Sequence, residues 1–259
     1  MDLQLNLKTN FTALIIADLN DRASVVGARN VMQSIRNTKS TIIPFLIQAT
    51  TPQTLEEDLK TFGLSKADWT YPKVPNQTKI DIKSGMHLTG YNAKDLDKVI
   101  SCTVSHMRVW YMSAMLNETI CVLEHDAVFT RQLVTKTTDE FDSAGIIGLN
   151  DPRGATRKAS VYLDRVINGQ RKTTREGSLT YVDAPWVDNN RNAPQGIAGN
   201  SAYIISPSAA KALLRKVDEM GLWPNDALMC KQLMGKGNLQ VLFPYITKVQ
   251  PQQESTTSR

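Results

Sequence analysis

Residues 13–18 read Ala-Leu-Ile-Ile-Ala-Asp, a short run that is apolar at successive positions and closes on a carboxylate. A run apolar throughout, rather than at alternate positions, makes a strand covered on both faces. After the polar turn 20–24, Val26, Val31, Met32 and Ile35 recur at roughly helical spacing. A second apolar run follows over 41–47. Strand, helix and strand in that order form a βαβ opening, which calls for a parallel sheet and a right-handed crossover. Pro44 sits inside the second run and has no N–H to give to a ladder, so that strand is expected at the sheet edge or kinked near its start.

The alternation continues along the chain. Helices are predicted over 50–62, over 95–116 and from Ala209 to Met220, the last opened by Ser206-Pro207-Ser208, with a shorter one over 225–234. Strands are expected over 119–123, 145–149, 201–205 and 239–243, while 68–93, dotted with aromatics, prolines and glycines, reads as loop. The expected fold class is α/β, a mainly parallel central sheet with flanking helices. It occupies one domain over 1–250, with a flexible tail over 251–259.

Several function classes fall away on composition. Only three cysteines are present, Cys102, Cys121 and Cys230, too far apart for a disulfide framework or a structural zinc site. No apolar run approaches the roughly 18 residues that span a bilayer, and the opening residues lack the basic and apolar regions of a secretion signal. A reduced cytoplasmic protein, peripheral to a membrane at most, is the expectation. Neither phosphate-binding glycine motif, GxxxxGK[ST] or GxGxxG, occurs. The net charge of +5 favours anionic partners without demanding nucleic acid.

The segment richest in chemistry is Val122-Leu123-Glu124-His125-Asp126-Ala127. It puts two carboxylates at the carboxyl end of a buried strand, where open α/β sheets bind ligands. Such a pair suits a hard divalent cation able to neutralise a pyrophosphate. On spacing alone, Asp126 could equally cap the next element. Ser105 and His106 lie on the 95–116 helix, where a lone histidine is more often structural than functional.

Taken together, Asp18-Leu19-Asn20, "SCTVSHMRVW", "CVLEHDAVF", "GNSAYIIS" and "WPNDALMCKQL" resemble family 25 glycosyltransferases, the group of lipooligosaccharide and procollagen galactosyltransferases. The segments stand in the family's order over roughly residues 11–259. Cys102, Ser105, His106 and Trp110 match the family's helix motif, and Leu123, Glu124, Asp126 and Ala127 its metal motif. Ser101 stands where the family has glycine, and His125 where it has the middle aspartate.

The resemblance implies a GT-A-type fold, a nucleotide-sugar donor (usually UDP-linked) and a divalent metal, Mn²⁺ or Mg²⁺. Transfer to the acceptor hydroxyl would be inverting. Glu124 and Asp126 would hold the metal, Asp18, Leu19 and Arg22 the nucleoside, and Ser105, His106, Glu124, Asn200 and Ser201 the rest of the donor. Asp226 would be the general base; its plainer alternative is a helix N-cap. Gln250 and Ser255 lie where the family's tail returns past the metal. Between Arg153 and Gly177, seven basic side chains face only two acidic ones. That segment is either a solvated loop or a lid gripping an anionic acceptor, a phosphorylated glycan or DNA. Two competing functions stay open: a DNA-modifying transferase acting on a hydroxymethylated base, and a sugar-nucleotide-binding protein without turnover.

Overall fold

The computed structural model describes residues 11–133, 145–153, 158–170 and 180–250. Its organising strand is β1 (Phe11–Ala17), which lies parallel between β2 (Ile42–Gln48) and β5 (Ile120–Glu124). The crossover from β1 to β2 is α1 (Arg22–Asn37), whose N-cap Asp21 accepts from the Ala23 and Ser24 amides at 3.2 and 3.1 Å. That cap satisfies two of the orphan donors of the first turn and fixes where the chain leaves the sheet.

The central sheet has seven strands in the order β2-β1-β5-β9-β7-β10-β8. The four not yet given are β7 (Ile146–Gly148), β8 (Thr180–Asp183), β9 (Ala202–Ile205) and β10 (Leu239–Phe243). Strands β8 and β9 run against the other five. Strand β2 is an edge, so Pro44, in register with Ala13, takes no donor from an interior ladder.

Both faces of the sheet are covered, as the unbroken apolar runs required. Leu14, Ile16, Val122 and Tyr203 point to one face, where they meet Val104, Met107 and Trp110 of α3 (Leu96–Leu116) and Leu213 and Val217 of α5 (Pro207–Met220). Ala13, Ile15, Cys121 and Leu123 point to the other, against Ala28, Val31 and Ile35 of α1. The period-2 alternation therefore divides one apolar sequence between two cores. Among the described residues no helix is long and apolar enough to cross a membrane.

The structure also differs from the sequence expectations. The helix expected from residue 50 starts later, as α2 (Leu55–Thr61). The stretch read as loop holds a hairpin of β3 (Thr78–Ile80) and β4 (His87–Thr89). All three residues of β3 are exposed, so no burial pattern marked it. Tyr111 does not join the buried stripe of α3; it is exposed and meets Phe62 edge-on at 5.9 Å.

The basic segment contains α4 (Ala159–Gln170), which buries Tyr162, Val166 and Gln170, so its middle is neither loop nor lid. Lys158 pairs with Asp188 at 2.6 Å, Arg165 donates to the Trp186 carbonyl, and Arg153 pairs with Asp151. Arg157, Arg171, Lys172, Arg175, Ser255 and the tail over 251–259 lie outside the described residues.

Candidate active site at the carboxyl ends of the strands

The strands parallel to β1 finish along one edge of the sheet, and the predicted carboxylates collect there. Glu124 ends β5 in register with Ile16 of β1. On its other side lies the start of β9, and the Glu124 amide donates to the Ser201 carbonyl at 2.7 Å. Asp126 follows in the turn leading to β6 (Ala127–Phe129), which pairs antiparallel with β11 (Thr247–Val249). The chain then returns past this turn, where the Gln250 amide donates to the Asp126 carbonyl at 2.8 Å. The Gln250 side-chain amide reaches the carbonyls of Gly27 and His125, at 3.2 Å each.

Ser201 lies beside Glu124 and Asp126 and acts to lower both carboxyls. Asp126 is only 9% exposed. Burial first, and then the Glu124 charge, push its carboxyl up to about 7. Burial also acts to raise Glu124, but the hydrogen bond and charge of His106, with help from His125, hold it below its ordinary value. The two carboxylates thus titrate apart, with Glu124 the more readily ionised.

A buried chain of donors orients His106. Trp110 Nε1 lies 2.8 Å from the Tyr203 hydroxyl, which lies 2.8 Å from His106 Nδ1. An indole nitrogen can only donate, so Tyr203 accepts from Trp110 and its hydroxyl also bonds Nδ1. Imidazole Nε2 donates to Glu124 Oε1 at 3.2 Å. Cys102 Sγ, His106 and Glu124 each offer a ligand atom within 4.8 Å of the others, a possible metal-binding triad.

Asp226 belongs to the same cleft. It lies in α6 (Asn225–Leu228), where Pro224 rather than Asp226 occupies the N-cap position. The segment is anchored at several points: Thr103 of α3 donates to the Trp223 carbonyl at 3.1 Å, and Trp223 Nε1 donates to Thr70 Oγ1 at 2.8 Å. Tyr91, stacked on Tyr71 with ring centroids 5.8 Å apart, donates its hydroxyl proton to Asp226 Oδ1. Asp226 keeps solvent-accessible surface although protein encloses it on most sides, the situation of a carboxylate on a cleft wall. Burial raises its carboxyl, while Tyr91, backbone amides and His106 work to lower it. Burial and the charges of Glu124, Asp226 and Asp126 push the half-buried Cys102 thiol well up, and its sulfur lies 3.9 Å from Asn225 Oδ1, beside Asp226.

The remaining predicted residues fall in two groups. Asp18 follows β1 at the same edge, half-buried, and accepts from the Asn20 amide at 3.0 Å and the Gln48 amide group at 3.2 Å. Leu19 and Arg22 are exposed beside it. Asn200 precedes β9, and both polar atoms of its side chain are buried without a hydrogen-bond partner among the described residues. Ser105 accepts from the Thr50 amide at 2.8 Å and donates to the Ser101 carbonyl at 2.9 Å, which ties the segment after β2 to α3. Sequence reasoning overlooked Tyr91, hidden in the aromatic-dotted loop, and Tyr203, read only as a strand residue.

His125, the departure in the metal motif, turns toward α1. A Cβ on Gly27 would come within 2.6 Å of the His125 carbonyl oxygen and 3.1 Å of its ring. Asp21 and Asp18 are the acidic neighbours of the imidazole besides Glu124. The middle position of the triplet thus packs on the α1 side.

The sequence model of glycosyltransferase family 25, described as LPS biosynthesis protein, matches residues 29–229. The chain belongs to this family. The match runs from within α1 to the end of the Asp226 segment, so it covers Glu124, Asp126 and Asp226 together. As a family 25 member the protein is a glycosyltransferase, and its α/β architecture is of the expected class. No curated protein matches the sequence significantly. Among solved structures, mouse xyloside xylosyltransferase 1 in its apo form is similar at 10% identity and a TM-score of 0.39, over 89% of this chain and 83% of that one. At that score the likeness is one of outline only.

Proposed function

We propose that this glycosyltransferase moves a hexose from a UDP-linked nucleotide sugar to an acceptor hydroxyl, with inversion and with the help of Mn²⁺ or Mg²⁺. The observation that carries the reading is the proximity of Glu124, at the carboxyl end of β5, to Cys102 Sγ within 4.8 Å, and of that sulfur to Asn225 beside Asp226 at 3.9 Å, all inside the family's matched span.

The donor set fits a hard cation. Two neighbouring carboxylates supply oxygen ligands of the kind Mn²⁺ and Mg²⁺ prefer, and a cation there would favour the ionised form of Asp126 against the burial and the Glu124 charge that raise it. The Cys102–His106–Glu124 triad fits less well, because the thiol is held protonated and both imidazole nitrogens already have partners. When bound, the cation neutralises the charge that develops on the diphosphate.

The chain's own residues do the rest. Asp18, Leu19 and Arg22 seat the nucleoside beside the pair. Asn200, with its amide uncommitted, is free to bond sugar hydroxyls. Asp226 takes the proton from the acceptor hydroxyl as it attacks, and Tyr91 holds one carboxylate oxygen so that the other faces the acceptor.

A panel of nucleotide sugars, scored by calorimetry and by donor hydrolysis with and without Mn²⁺, tests the proposal. One UDP-sugar should bind and turn over only with metal. Full hydrolysis under saturating chelator, or preference for a donor without a diphosphate, would overturn it.

A further inference from the structure

We propose that a second pocket on the same sheet edge binds a phosphorylated sugar unit of the acceptor, away from the hydroxyl that reacts. This rests on the transferase reading above and names the class of acceptor it uses.

The pocket, about 520 Å³ in volume, lies beyond the carboxyl ends of β7 and β10. Both strands run parallel to β5, so the pocket opens on the edge that carries Glu124. Its floor joins the metal turn directly: Thr247 and Lys248 belong to β11, which pairs with the strand leaving Asp126. A volume of this size falls in the range of small-molecule sites, roughly 300–1,000 Å³.

Three cations line it, and among the described residues only Arg153 has an ion-pair partner. Arg153 holds Asp151 through Nε at 2.9 and 3.1 Å. Arg131 and Lys248 have no ion-pair partner among the described residues, and both are exposed. Two cations without an ion-pair partner among the described residues, at the mouth of a cavity, call for an anion, and a phosphate can take hydrogen bonds from both.

The opposite wall is apolar. Leu163 and Ile167 stand one turn apart on α4, facing Phe243 and Tyr245, whose rings meet edge-on at 5.5 Å. The hydroxyl of Tyr245 is buried without a partner among the described residues. Aromatic faces with one stray hydroxyl suit the apolar face and oxygens of a sugar ring better than a free inorganic ion. A nucleic acid strand would need cations in a row along the surface; here the three line a single pocket.

The test titrates the full chain with glucose 6-phosphate, glucose, inorganic phosphate and a 12-nucleotide single-stranded DNA. Glucose 6-phosphate should bind at least about tenfold more tightly than glucose or phosphate alone, as charge-assisted hydrogen bonds added to ring contacts require. The Arg131→Ala/Lys248→Ala variant should lose at least about tenfold of that affinity and keep the wild-type Tm and UDP-sugar hydrolysis. Equal binding of the sugar with and without phosphate overturns the proposal, and so does an unaffected double variant. Tighter binding of the oligonucleotide than of the sugar phosphate would replace it with a nucleic acid site. Absence of hydrolysis in the wild type would instead sink the catalytic reading, while the pocket titration remains decisive for the pocket.

Discussion

The Nε2 atom of His106 lies 3.2 Å from Oε1 of Glu124, at the end of a buried chain that starts at Trp110 and passes through Tyr203. Partners of this kind fix the orientation of a metal-ligating carboxylate, and losing them typically costs about 10–100-fold in metal affinity. Tyr203→Phe strips two buried groups, the Trp110 N–H and His106 Nδ1, of their shared partner. We expect a stability loss of about 1–3 kcal/mol by denaturant titration and a Mn²⁺ dissociation constant raised by about 10–100-fold. Lost stability with an unchanged dissociation constant would reduce the chain to a packing feature.

Asp126 makes the metal-free protein sensitive to pH. Its carboxyl sits at about 7 in the folded protein because of burial and the Glu124 charge, against roughly 3.9 when unfolded. Between those values the native state holds a proton that the unfolded state has released, so stability falls as pH rises from about 4 to about 7. Asp126→Asn should flatten that slope and abolish metal-dependent transfer. Mn²⁺ should raise the wild-type Tm more at pH 8 than at pH 5, since it binds the ionised form. A Tm increment independent of pH would show that the metal binds elsewhere.

What the sequence disclosed follows from where its constraints are local. The β1–α1–β2 unit, the edge position of Pro44 and the Ser206 cap all depend on neighbours within a few residues, and each is found as expected. The reversed direction of β9 was not legible, because a fully buried strand has the same apolar run whichever way it points. At the site, the carboxylates were visible as motifs, whereas the bonds of Ser105 to the Thr50 amide and the Ser101 carbonyl were not. Tyr91 reaches Asp226 across 135 residues, and no local spacing encodes such a contact.

Gly27 offers a case in which two effects oppose each other. Alanine is better than glycine in a helix interior by about 1 kcal/mol, so propensity alone predicts that Gly27→Ala stabilises α1. The added Cβ, however, would stand 2.6 Å from the backbone oxygen of His125, which cannot swing aside as a side chain would. Overpacking of this sort costs about 1–3 kcal/mol, so the net effect should be destabilising, and it should push the 125–126 turn away from α1. Weaker Mn²⁺ binding together with a lowered Tm is the expected result; a raised Tm would mean that the helix shifts at no cost.

Tyr91 and Asp226 allow the general-base role to be separated from mere support of the fold. Asp226→Asn preserves size and should lower kcat by about 10²–10⁴-fold while leaving UDP affinity in calorimetry unchanged, because the amide cannot take the acceptor's proton. Equal losses in both would make it a donor-site residue. Tyr91→Phe asks a finer question. Burial raises the Asp226 carboxyl above its ordinary value, and the Tyr91 hydroxyl is the foremost of the groups that oppose the rise. Deleting that hydroxyl removes a hydrogen bond to the ionised form, so the carboxyl should rise further and the acid limb of kcat/KM should move to higher pH. The phenyl ring still stacks on Tyr71, so the packing seen at 5.8 Å is kept and the Tm should change little. A limb that stays in place while kcat falls would assign Tyr91 to acceptor binding instead. If both limb and rate stay unchanged, Asp226 does not act as the base.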